Sequence, residues 1–135
     1  MLDTLKKKYD DLLFLEGSRG RKARESSQDH FVMKAVDLIL SEAVAQRASD
    51  IHIEPARDCL RIRYRIDGFL YEVLKLPRDN QVRIVPRLKV MAELDPESGK
   101  QQMPQDGRFS MTLGPQQVDV RASTFPTIWG EKMAL

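Results

Sequence analysis

Arg108 and Arg121 carry the clearest chemical possibility in the sequence. A planar guanidinium holds its charge at any working pH and offers forked N–H donors, the geometry that grips phosphate oxygens. The stretch that contains both, QDGRFSMTLGPQQVDVRASTFP from Gln105 to Pro126, alternates apolar and polar residues on two arms. Phe109, Met111 and Leu113 share one side of the first arm, and Val118, Val120 and Ala122 share one side of the second, which is the period of half-buried strands. Matching these rows pairs Leu113 with Val118, Met111 with Val120 and Phe109 with Ala122, and leaves Gly114 to Gln117 as the turn. The same register sets Arg108 opposite Ser123, Ser110 opposite Arg121 and Thr112 opposite Asp119, so the two arginines become diagonal neighbours roughly 7–8 Å apart. On geometry alone two readings stand: a joint grip on one anion, or solvated arginines with Asp119 as a nearby partner.

The elements that would hold this hairpin lie upstream. Leu2, Leu5, Tyr9, Leu12, Leu13 and Leu15, spaced among lysines and aspartates, predict a short amphipathic helix that must dock or swap to be stable. GSRGRKARESSQ, Gly17 to Gln28, has Ala23 as its one apolar residue and reads as a basic linker, which sets residues 1–28 apart from a folded domain over 29–135. Asp29 suits an N-cap, and Phe31, Val32, Ala35, Val36, Leu38, Ile39, Ala43 and Val44 predict a helix to Ala48 with one broad face for a sheet. Asp50 to Glu54 alternates as a strand, turns through Pro55 to Asp58, and returns as Leu60 to Ile66. Pairing Ile53 with Leu60 and Ile51 with Ile62 places His52 opposite Arg61 and Asp50 opposite Arg63.

Asp67 and Gly68 form the preferred two-residue turn into Phe69 to Leu76, with Ile66 facing Phe69, Tyr64 facing Tyr71, Ile62 facing Val73 and Arg63 facing Glu72. Arg61, Arg63 and Arg65 share their side with Asp50, Glu54 and Glu72, so an ion-paired, solvated face is expected there. Leu70 and Leu74 fall on the same side and call for cover by the N-terminal helix or another subunit. Asp79 to Leu94 is again helical, although Pro86 restricts the regular part to Pro86–Leu94. Asp95 to Pro104 is a polar loop. Met133, Ala134 and Leu135 begin a strand that is expected to run on in a longer protein. The predicted class is α+β: a small mixed or antiparallel sheet with flanking helices, plus an N-terminal helix on a linker.

Composition narrows the chemistry. The 135 residues suffice for one core with appendages, and a net charge of +2 gives no global reason for nucleic-acid binding. Aromatic residues at 7% offer no stacking platform for single strands. Cys59 is the only cysteine and His30 and His52 the only histidines, so neither a disulfide nor a zinc site is expected, and a reducing cytoplasm suits the chain. No apolar run approaches the roughly 20 residues of a membrane span. None of the seven glycines completes a phosphate loop GxxxxGK[ST], and there is no GxSxG elbow. No catalytic constellation is expected within this chain.

Six segments then fall into a familiar order: ASDIHIEP (48–55), RYRIDG (63–68), RLKVMAELD (87–95), PQDGR (104–108), VDVRASTFPT (118–127) and GEKMAL (130–135). They resemble the domain just before the motor core in the ATPases of bacterial type II secretion and type IV pilus assembly. The resemblance covers about residues 30–135 and implies a PAS-like α+β domain, flexibly linked to a RecA-like motor that carries the phosphate loop. It implies a cytoplasmic homohexamer, held at the inner membrane by secretion or pilus platform components, with no specific nucleic acid as partner. ATP and magnesium would be bound in the full-length protein and neither by this chain alone. PQDGR and VDVRAS map the family's ATP-phosphate contacts onto Arg108 and Arg121. GKQQMP departs from the more basic run often found before PQDGR, and residues 1–28 carry no recognisable motif. The alternative is a stand-alone PAS-like sensor or protein-interaction module.

Overall fold

The computed structural model describes residues 5–11, 21–77, 81–94, 104–113 and 115–135. Residues 5–11 form helical segment α1. Next come α2 (Arg21–Ala45), β1 (Asp50–Pro55), β2 (Cys59–Ile66), β3 (Phe69–Pro77), α3 (Gln81–Met91), β4 (Gln105–Leu113), β5 (Gln116–Thr127) and β6 (Gly130–Ala134). The chain is α+β. Its six strands make one antiparallel sheet in the order β3-β2-β1-β6-β5-β4. Each half is a meander of sequence neighbours, and the β1–β6 pairing joins the halves.

Alternation along the strands decides which face is covered. Ile51, Ile53, Leu60, Ile62, Tyr64, Ala122 and Met133 are buried together with Val32, Ala35, Val36, Ile39, Leu40, Ile84, Val85 and Leu88 of α2 and α3. The helices thus cover one face, and the charged residues of the same strands line the other, the usual economy of an antiparallel sheet. Tyr64 is fully buried, and its hydroxyl donates to the Ile39 carbonyl at 2.6 Å, tying β2 to α2. Burial and the charge of Glu42 push the Tyr64 phenol well above its ordinary value, so it remains a donor. Leu5 and Tyr9 of α1 join the same core, with Tyr9 meeting Phe31 edge to face at 5.9 Å. The expected docking of an N-terminal helix is therefore present. Leu2, Leu12, Leu13 and Leu15 lie outside the described residues.

Several sequence expectations need correction. The linker expected over Gly17–Gln28 does not hold from Arg21, where the backbone is already helical, and Asp29 sits inside α2 rather than at its cap. Residues 21–28 contain neither proline nor glycine and are rich in helix formers, so a helix nucleated by the buried half of α2 propagates through them. At its other end α2 stops at Ala45, where Arg47 takes a left-handed conformation and the Arg47 and Ala48 amides bond back to Val44 and Ala43. α3 runs through Pro86 instead of starting there, because Ile84, Val85 and Leu88 around it are all buried and their packing outweighs one missing backbone bond. Asp67 and Gly68 both have positive φ, as the tight turn requires, and β2–β3 pair as expected from Ile66–Phe69 to Arg63–Glu72. A bulge then pairs Ile62 with Leu74 in place of Val73. The extra residue shifts the phase, so Val73 and Leu74 are both buried and Leu74 needs no outside cover.

The β1–β2 and β4–β5 registers each differ by two residues from the pairings expected. Ile53 faces Ile62 and His52 faces Arg63, while Phe109 faces Val120 and Met111 faces Val118. A slip of two leaves every side chain on its proper face, so apolar matching alone cannot choose between such registers. The turns choose. The β4–β5 connection is only two residues long, between Leu113 and Gln116, rather than the expected four.

Candidate anion-binding site

The shorter turn brings the two arginines closer than the sequence suggests. Arg108 pairs directly with Arg121 across β4 and β5, where side chains stand about 4.5–5.5 Å apart at Cβ. Both are exposed on the face away from the helices. Gly107, next to Arg108, faces the other way, and a Cβ there would drive into the Ala92 carbonyl and Leu94 at the end of α3. Close backbone contact thus fixes where β4 lies against α3, and with it the origin of the Arg108 side chain. The start of β4 is fixed as well: the Gln105 amide donates to the hydroxyl of fully buried Thr124 at 3.0 Å.

The rungs on either side are occupied by serine and aspartate. Ser123 Oγ donates to Asp106 Oδ1 at 2.6 Å, and Ser110 Oγ donates to Asp119 Oδ1 at 2.6 Å. Asp119 is therefore not the ion-pair partner that the sequence allowed. Neither arginine makes an ion pair or hydrogen bond with any described residue. Arg108, Ser110, Asp119 and Arg121, with Phe109 and Val120, line a shallow depression open to solvent.

The other half of the same face behaves differently. Arg61 lies 3.9 Å from Glu72, Arg63 hydrogen-bonds Glu54, and Arg65 lies 3.5 Å from Asp50. This is the ion-paired face expected for those three arginines. Lys132 of β6 also reaches Glu54, at 3.3 Å. Burial alone would raise the Glu54 carboxyl, but the hydrogen bonds from Arg63 and Lys132 outweigh it and hold the group below its ordinary range. Burial, then Lys132, lowers His52 against the opposite pull of Glu54 and Asp50. Like charges directly opposed on a sheet are destabilising, so an unneutralised arginine rung is something the fold bears rather than uses. A phosphate would neutralise both at once, with donors from each side.

Sequence reasoning found the two arginines but not the serine–aspartate rungs, which depend on register, nor the role of Gly107, which depends on α3. It also passed over Lys89 and Glu131. These form a buried ion pair at 2.7 Å between α3 and β6, with side chains 1% and 4% exposed. The available signal was a lysine inside an apolar helical stripe. Among the described residues no group of three or more His, Cys, Asp and Glu could hold a metal ion, and no helix is long and apolar enough to cross a membrane.

Comparison with known proteins adds the context. A family model described as "Type II/IV secretion system protein" matches residues 25–135. The chain is 43% identical over 112 residues to the type IV pilus assembly ATPase PilB of Myxococcus xanthus, covering 82% of this chain and 19% of that protein. It is 44% identical over 111 residues to the type II secretion system ATPase E of Vibrio cholerae, covering 82% and 22%. The chain thus spans about a fifth of the length of these relatives. Among solved structures, the Legionella pneumophila ATPase DotB matches with a TM-score of 0.52 at 17% identity, over 73% of this chain and 27% of that one. This likeness supports the fold.

Proposed function

Because the chain belongs to the Type II/IV secretion system protein family, we propose that it is the non-catalytic domain preceding a RecA-like motor in a hexameric ATPase that powers type II secretion or type IV pilus assembly. Arg108 and Arg121 are its contribution to the nucleotide: when the domain closes on the motor, the two guanidiniums meet the phosphates of ATP held there. The observation that carries this reading is the exposed Arg108–Arg121 rung, without a carboxylate partner among the described residues on a face where the neighbouring arginines have theirs. The two meanders joined through β1 and β6, with helices on one side, suit the PAS-like description.

Positive charge at the terminal phosphate would stabilise the loose transition state of phosphoryl transfer, and loss of that phosphate would weaken the grip and free the domain to rotate. ATP and magnesium belong to the motor in this reading, in keeping with the absence of a phosphate loop from this sequence. The working protein would be cytoplasmic, in contact with neighbouring subunits and with platform components at the inner membrane.

Full-length protein tests it. Arg108→Ala and Arg121→Ala should each lower ATP turnover by about a hundredfold while leaving the domain folded. Unchanged turnover in both would sink the assignment. The sensor reading draws on a separate feature, a cleft of about 450 Å³ between α2 and the sheet, lined by residues that include Leu40, Val44, Met111 and Val118. Its volume suits a small ligand. Native mass spectrometry of the purified chain should show no retained small molecule; a stoichiometric one would favour the sensor.

A further inference from the structure

We propose that Ser110 and Ser123 are positioning residues that stop Asp119 and Asp106 from neutralising the arginine pair, so that both guanidiniums stay open to an incoming phosphate. This rests on the anion-binding reading of Arg108 and Arg121 and names what keeps that site available.

Three adjacent rungs carry the argument: Asp106 opposite Ser123, Arg108 opposite Arg121, and Ser110 opposite Asp119. All six side chains share one face. Each arginine therefore has one aspartate two residues away on its own strand and the other on a diagonal of the next strand. Guanidinium and carboxylate form the strongest side-chain pair available there. Diagonal reach is demonstrably used on this sheet, for Glu54 stands opposite Arg61 yet hydrogen-bonds Arg63, one rung along. Asp50 likewise meets the arginine of its own rung, Arg65, although the hydroxyl of adjacent Ser49 also donates to it. A hydroxyl contact from a chain neighbour thus does not prevent pairing. What differs at Asp106 and Asp119 is a serine directly across the ladder, which draws the carboxylate along its own rung. At both, and at none of the three carboxylates Asp50, Glu54 and Glu72 of the other half, the rung partner is a serine, and the arginines beside it make no pair with any described residue.

The consequence is specific. Removing both hydroxyls frees two carboxylates to turn onto the arginines, and the site loses affinity without losing either arginine. Converting those carboxylates to amides then restores it, although the serine–aspartate hydrogen bonds are still absent. Removing two negative charges favours anion binding in any background, so the mark of positioning is that the amides gain more in S110A/S123A than in the chain that keeps both serines. The serines lie on the uncovered face of an edge hairpin, so the variants leave the core intact.

The test uses the 135-residue chain and tripolyphosphate, read through the arginine Nε–Hε resonances of Arg108 and Arg121 by NMR. S110A/S123A should shift those resonances before any anion is added and bind tripolyphosphate about tenfold more weakly. S110T/S123T, which keeps the hydroxyls, should bind as the unaltered chain does. S110A/S123A/D106N/D119N should recover full affinity or exceed it, and its gain over S110A/S123A should be about tenfold larger than the gain of D106N/D119N over the unaltered chain. If S110A/S123A binds as the unaltered chain does, or if the amide substitutions gain no more there than in the unaltered chain, the positioning role is wrong while the anion site stands. If tripolyphosphate leaves both arginine resonances of the unaltered chain unmoved, the anion-binding reading itself fails, and this inference falls with it.

Discussion

His52 and Glu54, two positions apart on β1, give the polar face a pH dependence whose sign can be worked out. His52 is held below the ordinary imidazole value of 6.5, so the unfolded chain takes up this proton before the folded one does. Stability conferred by the neutral ring is complete above 6.5 and is lost as pH falls through the lower folded value. Glu54, held below the ordinary 4.5, repeats this at more acid pH. Urea midpoints should therefore be level above neutrality, decline below about pH 6.5 and decline again below about pH 4.5. His52→Gln should flatten the first decline. Glu54→Gln should remove much of the second and also lower the neutral plateau, because Arg63 and Lys132 lose their shared partner. Equal slopes in the His52→Gln variant and the parent between pH 7 and 5 would contradict the assignment.

Between elements, the buried Lys89–Glu131 pair joins α3 to the central strand β6. Truncating one partner leaves a buried charge without its counterion. Lys89→Met or Glu131→Gln alone should cost about 3–5 kcal/mol in urea denaturation, while Lys89→Met/Glu131→Leu should return most of that loss. A double variant as unstable as either single one would show that the pair itself, and not the orphaned charge, decides. The same scale shows what could be read in the sequence. Period-two patterning placed β1 to β5 and put Arg108 and Arg121 on the correct face, because burial enforces facing; β6, expected only from Met133, starts at Gly130. It could not fix their rung, because a two-residue slip preserves facing and only the turn length distinguishes the registers. Helix ends were harder still. α2 and α3 close on Arg47 and Glu93 in left-handed conformations, where a glycine would have announced the stop. The family resemblance supplied the proposed phosphate contact of the arginines, which patterning left open.

For the whole molecule, α1 extends the hydrophobic core beyond the two-layer unit of sheet and long helices. Leu5 and Tyr9 are 1% and 2% exposed, and Lys8 reaches Glu42 of α2 at 3.0 Å. Tyr9→Ala should lower unfolding stability by about 3–5 kcal/mol, measured by denaturant titration. A change within 0.5 kcal/mol would mean that the segment is not part of the core in solution.

The placement of β6 has a consequence for how the protein is made. The β1–β3 meander needs only nearby residues and is ready to assemble early in synthesis. The strand that links it to the second meander is supplied by residues 130–134. Until the ribosome has released them, β1 presents an open backbone edge, a temporary invitation to other nascent chains. Assembly of the two halves is therefore timed by translation as much as by affinity, and slow decoding just before Gly130 would lengthen the vulnerable interval.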